Sequence, residues 1–106
     1  MRILEHPSSK PVRAGASVTF RCKATGYPAP EYLWVKDSVE VPDGINEELT
    51  LDCARLEDSG NYVCIVSNRL NMQRSHEVEL QVLPSPGMPL IIVMSPNNNY
   101  ELLPSF

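Results

Sequence analysis

An all-β fold, a sandwich of two antiparallel sheets with Greek-key connections, is predicted by three features of the sequence. Apolar and polar residues alternate with a period of two in several short runs, as in strands with one buried face. Turn-forming clusters interrupt the chain at short intervals. No window carries a helical period. At 106 residues, 42% hydrophobic and 21% charged, the chain has the size and apolar content of one domain with its own core.

Each strand has its own pattern. Val18, Phe20, Cys22 and Ala24 alternate with Thr19, Arg21 and Lys23, which gives one apolar and one largely charged face. Glu31 to Lys36 reads as a strand with Trp34 facing inward. Leu49 and Leu51 mark a shorter one. Tyr62, Cys64 and Val66 alternate with Val63, Ile65 and Ser67, a strand flanked on both sides by apolar groups. Val78, Leu80 and Val82 alternate with Glu77, Glu79 and Gln81. Between the runs lie Pro7, Pro11 and Gly15, then Gly26-Tyr27-Pro28, Pro42-Asp43-Gly44 and Asp58-Ser59-Gly60, all turn chemistry. Glu47-Glu48 reads as a solvated turn.

Two inward cysteines, Cys22 and Cys64, sit on separate predicted strands, with Trp34 twelve residues after the first. Asp58 to Cys64 reads D-x-G-x-Y-x-C, which puts Tyr62 at a strand corner where its hydroxyl reaches backbone. This constellation resembles the immunoglobulin fold. Only 29 residues separate Trp34 from Cys64, too few for the two extra strands of a variable-type domain. The resemblance is therefore to the intermediate, I-set, type, with Val12-Arg13 as a short A′ segment. Cys22, Trp34, Leu51, Asp58, Tyr62 and Cys64 form the expected structural core. Cys22 and Cys64 are expected either as a disulfide or as two packed thiols. Asp58 is expected to cap turn amides or to pair with Arg55. Cys53 is expected as a partly buried free thiol outside the core centre.

Composition narrows the function. Net charge is −4, so nucleic acid is not an expected partner. The longest apolar run, Leu90 to Met94, is five residues. That falls well short of the roughly 18 that mark a membrane span. Arg2-Ile3-Leu4-Glu5-His6 after Met1 reads as no signal-peptide core. An odd count of three cysteines and the lack of an N-x-S/T sequon lean towards an intracellular home. His6 and His76 are the only histidines, and neither belongs to a nucleophile motif. With no C-x-x-C, no H-x-x-x-H and no Gly-rich phosphate loop, no catalytic residue, metal or cofactor is expected. The expected partners are proteins.

Candidate contact residues lie in two places. Leu70 and Met72 are apolar residues in the otherwise polar hairpin Asn68 to Arg74, where loops of a sandwich commonly bind partners. The alternative is that both fold back onto the sandwich edge. The second place is the C-terminal stretch. Residues 84–106 hold five of the ten prolines, no Lys or Arg and one acid, Glu101. The domain is therefore placed at 1–83. Residues 84–106 read as a Pro-rich linker plus an apolar segment that begins a neighbouring domain, with a turn at Asn97-Asn98-Asn99. Leu90, Ile91, Ile92 and Val93 in that segment are expected to pack against protein, one route being a weak homodimer.

Several stretches carry a narrower resemblance. They are Arg21 to Pro28, Tyr32 to Lys36, Glu40 to Gly44 and Leu56 to Asn68. Together they resemble the immunoglobulin domains of the paracaspases of mucosa-associated lymphoid tissue lymphoma, over roughly residues 3 to 83. That resemblance implies an intracellular scaffold-protease between antigen-receptor signalling and NF-κB, with its catalytic residues outside this chain. The chain itself would be a non-catalytic module for protein contacts, in the cytoplasm. An extracellular adhesion or receptor I-set domain is the rival reading, and a cytoskeletal structural domain is a third.

Overall fold

Alternation resolves into thirteen short strands and a single turn of 3-10 helix among the described residues. The computed structural model describes residues 1–84, 90–94, 96 and 100–104, with the strands over 90–94 and 100–104 described by backbone alone.

In the first layer, Arg2–Glu5 (β1) pairs antiparallel with Lys23–Thr25 (β4), and Val18–Arg21 (β3) pairs antiparallel with Glu48–Leu51 (β7). β3 and β4 are one extended run broken at Cys22, whose amide donates instead to the Glu47 carbonyl at 2.8 Å. In the second layer the order is Val39–Glu40 (β6), Glu31–Lys36 (β5), Gly60–Ser67 (β8) and Val78–Leu80 (β10). Met72–Arg74 (β9) also pairs with β8, closing the predicted hairpin. Val12–Arg13 (β2) pairs with Val82–Leu83 (β11), so the A′ segment stands where expected. That pair is parallel, a local departure from the otherwise antiparallel sandwich.

The layers meet through rings. Phe20 of β3 lies 6.1 Å from Trp34 of β5 and 4.9 Å from Tyr62 of β8, centroid to centroid. Val18, Leu49, Val66, Leu80 and Val82 complete the buried set around them. Each such side chain contributes about 1.5–3 kcal/mol on leaving water, which is why period-two alternation decides the register. Tyr32 also crosses between layers: its hydroxyl accepts from the Ala24 amide at 3.1 Å. Leu51 is only partly buried and packs at the margin of the core. Glu48 is not in a turn. It stands in β7 opposite Arg21, with the two side chains 3.3 Å apart. The pair is exposed and contributes little; β7 begins one residue earlier than Leu49 because cross-strand pairing with Arg21 extends it.

Two turns depend on special backbone. Asp37 and Ser38 both take left-handed φ angles, 48° and 69°, and make the tight two-residue link from β5 to β6. Gly44 sits against Trp34: a Cβ there would lie 2.9 Å from the Trp34 Cβ. The Pro42-Asp43-Gly44 turn therefore needs glycine for close approach to the central ring.

The C-terminal stretch contains Leu90–Met94 (β12) and Tyr100–Pro104 (β13), paired antiparallel from Leu90↔Pro104 to Met94↔Tyr100. The apolar run is therefore a strand. The expected turn at residues 97–99 and the side chains of Leu90, Ile91, Ile92 and Val93 lie outside the described residues. β13 was not foreseen, because Glu101-Leu102-Leu103 shows no alternation and ends at a proline. No helix among the described residues is long and apolar enough to cross a membrane.

Candidate interaction surface and the core that positions it

The scaffold is fixed by the residues singled out in the sequence. Cys22, Trp34 and Cys64 are each 0% exposed. Trp34 and Cys64 are register partners on β5 and β8. The indole Nε1–H donates to the Asn46 carbonyl at 2.8 Å, so no polar atom of the ring is left unpaired. Cys22 and Cys64 are free thiols in contact with one another. The hydrogen bond to Cys22, with burial, pushes the Cys64 thiol far above its usual range. Cys22 is the more acidic partner because its ionised form accepts that same hydrogen bond. Buried thiols of this kind act as small apolar groups.

The Tyr62 corner closes as the D-x-G-x-Y-x-C pattern predicts. Its hydroxyl donates to the Asp58 carbonyl at 2.6 Å. Burial, with Asp58 and Asp37 nearby, pushes the phenol up to about 12. The Asp58 carboxylate accepts from the Arg55 amide at 2.8 Å and so caps the 3-10 turn Leu56–Asp58. Of the two expected roles it takes the amide cap; the Arg55 guanidinium pairs with Glu57 at 3.6 Å. Gly60 follows because a Cβ there would collide with the Asp37 carboxylate, which accepts from the Asn61 amide at 2.9 Å.

Cys53 differs from expectation. It is exposed, not partly buried, since β7 ends at Leu51 and the chain leaves the sheet before it. Sequence reasoning also missed Ser75, the buried polar side chain at 7% exposure. Its hydroxyl accepts from the Cys64 amide at 2.9 Å and donates to the His76 carbonyl at 3.0 Å. A serine in a polar loop gives no signal of this.

The candidate surface lies where β5 begins and β8 ends, at the Glu31↔Ser67 pair. Tyr27, Leu70 and Met72 stand out of the protein here at 90%, 70% and 67% exposure. Leu70 and Met72 therefore do not fold back onto the edge. Between the loops runs an open groove of about 610 Å³ lined by Tyr27, Pro28, Ala29, Glu31, Ser67, Asn68 and Arg69. Exposed Ile45 flanks it beside Pro30 and Glu31. Asn68 holds both walls. Its Nδ2 donates to the Pro28 carbonyl at 2.9 Å, and its Oδ1 accepts from the amides of Leu70 and Asn71 at 2.9 and 3.0 Å. Pro28 itself follows a cis peptide bond. Among the described residues, no cluster of three or more His, Cys, Asp or Glu side chains could hold a metal ion.

The sequence pattern of the family described as "Immunoglobulin domain" matches residues 2–68. The chain belongs to the immunoglobulin domain family. The fold is accordingly an all-β immunoglobulin-like sandwich. Over 86 residues, 81% of this chain, the domain is 37% identical to human mucosa-associated lymphoid tissue lymphoma translocation protein 1, of which the match covers 10%. It is 40% identical over 87 residues to rat vascular cell adhesion protein 1, covering 76% of this chain and 11% of that protein. Among solved structures it superposes on the tandem Ig repeats of Dlar with a TM-score of 0.73 and 28% identity, covering 78% of this chain and 48% of that one. The chain spans about a tenth of the length of the curated relatives it matches. Relatives thus include both the lymphoma translocation protein and a cell adhesion protein. Immunoglobulin domains generally mediate protein interactions and are generally non-catalytic.

Proposed function

We propose that this immunoglobulin domain is a non-catalytic protein-interaction module of an intracellular, paracaspase-like signalling protein of the NF-κB pathway. The carrying observation is the apolar loop end, where Tyr27, Leu70 and Met72 stand exposed beside a groove whose walls Asn68 ties together. A surface held in place before binding loses less entropy when a partner seats on it. Glu31 and Arg69 offer one charge of each sign at its margin, suited to a protein partner. The cytoplasmic assignment is supported by the likeness to the lymphoma translocation protein and by the odd count of three cysteines. In this reading residues 1–83 are the module, and 84–106 are a linker with the beginning of a further domain. A second reading, an extracellular adhesion or receptor domain, is favoured by the 40% identity to vascular cell adhesion protein 1.

Thiol counting on protein from its native source, denatured without reductant, separates the two. Three free thiols support the intracellular module, and one moves the domain to the secreted class. For the surface, Leu70→Ser with Met72→Ser should leave the stability within the small range of exposed substitutions, about 0.5 kcal/mol. The same variant should lose capture of protein partners from cytosol. Capture equal to the wild-type chain would remove the loop end from the proposal.

A further inference from the structure

His6 and His76 are seventy residues apart in sequence, yet their rings stack face to face, 3.7 Å between centroids and 6° from parallel. The His76 backbone amide donates to His6 Nδ1 at 3.0 Å. That hydrogen bond fixes the chemistry of the ring. Nδ1 must carry a lone pair, so His6 is neutral here with its proton on Nε2. A proton on Nδ1 would turn acceptor into donor and set it against the amide.

The placement gives this bond a mechanical meaning. β1 pairs with β4 in the first layer, but both its ends are tied across to the second. At the start, Gln73 Nε2 of β9 donates to the Met1 carbonyl at 3.0 Å. At the far end, beside buried Pro7, the tie is His6 to His76. His76 is anchored in turn through Ser75, whose amide donates to the Cys64 carbonyl at 2.8 Å. One tie is an amide that no physiological pH alters. The other is an imidazole that titrates in that range.

We propose that the His6–His76 pair is a proton-operated latch, which fastens the end of β1 to the β9–β10 connection while His6 is neutral and frees it when Nδ1 of His6 takes a proton. Two effects disfavour that proton in the folded state: burial first, then the charge of His76 against the stacked face. The surrounding ionisable groups are Glu5 on β1, Lys23 opposite it on β4, Arg74 closing β9, Glu77 leading into β10, and Cys64 on β8 behind Ser75. Burial and His76 set the direction, and the His6 pKa lies below its ordinary value. A base depressed in this way stabilises the fold fully above its unfolded value of about 6.5 and loses that contribution as pH falls below it. The release is local, because the Gln73 tie at Met1 persists.

The test is amide exchange and imidazole titration of the ¹⁵N-labelled full chain by NMR, between about pH 7.5 and 5, where histidine titrates. The His76 amide should lose protection, corrected for its intrinsic rate, by up to about tenfold per pH unit as pH falls below the free-imidazole value of about 6.5. Its shift should move with the same midpoint as the His6 ring, and β8 amides should stay protected. His6→Asn supplies a side-chain oxygen that cannot titrate, and should make protection of the His76 amide independent of pH. His6→Phe keeps a stacked ring without an acceptor and should leave that amide unprotected at both ends of the range. A His76 amide whose protection is equal at pH 7.5 and 5 overturns the latch, as does a midpoint that differs from that of His6. So does pH dependence that survives in His6→Asn.

Discussion

At the scale of single residues, stability concentrates on the side chains that have no exposure and a satisfied polar atom. Trp34 combines both, so Trp34→Ala removes the ring that Phe20 leans on and leaves the Asn46 carbonyl without its donor. A loss of about 3–5 kcal/mol is expected, measured by denaturant melts with unchanged slope. Cys53 sits at the other extreme. Exposed and outside the core, Cys53→Ser should move stability by less than about 0.5 kcal/mol. Tyr62 yields a pH prediction. Its folded pKa is raised to about 12, so its contribution is complete below the unfolded value of about 10 and is lost as pH rises beyond it. The gap in stability between wild type and Tyr62→Phe should therefore narrow between pH 10 and 12 in alkaline melts. A gap that widens there would contradict the hydrogen bond to Asp58. Trp34, Cys64 and Tyr62 were legible in the sequence because spacing and alternation constrain them from several directions at once. Ser75 and His6 were not: Ser75 is one polar residue in a polar loop, and the partner of His6 lies seventy residues away, which no local pattern encodes.

At the scale of elements, alternation located the strands but not where they change partners. The run from Val18 to Ala24 reads as one strand, yet its halves pair with β7 and β1 in turn, and the break falls at Cys22. Likewise the run from Val78 to Val82 divides at Gln81, whose carbonyl accepts from Val12 at 3.0 Å. Side-chain period is the same on both sides of such a break, so composition carries no trace of it. The β8–β9 hairpin shows the same division of legibility. Its apolar residues were visible in sequence, whereas the Asn68 clamp that sets their position was hidden among four similar polar neighbours. Asn68→Ala should cost about 1–2 kcal/mol by losing three hydrogen bonds at a partly buried site. Faster amide exchange at Leu70 and Asn71, with β3 and β7 unaffected, is the expected signature. Unchanged exchange at those two amides would mean the groove is held by something else.

At the scale of the whole molecule, the question is what the C-terminal hairpin rests on. β12 and β13 satisfy one another's backbone along one edge each. A two-stranded hairpin alone in water is marginal, because it has too little apolar surface to cover its ordering cost. The hairpin therefore needs a further surface, and three are available: the sandwich, a second copy of the chain, or strands of a following domain. The homodimer expected from the apolar run Leu90 to Val93 must now use the outer edge of β12 or a face of the hairpin, since β13 occupies the other edge. Truncation after Pro84 is the informative cut, because the Arg13 guanidinium donates to the Pro84 carbonyl at 2.9 Å and that tie to β2 is then kept. Light scattering at up to about 0.1 mM tests the second copy: a dimeric mass for the full chain and a monomeric one for the truncation would assign it, and a Kd in that range corresponds to about 5–6 kcal/mol. Equal monomeric masses would exclude self-association at that strength. The thermal midpoint then divides the remaining two surfaces: a drop on truncation points to packing on the sandwich, and no change points to a domain that follows.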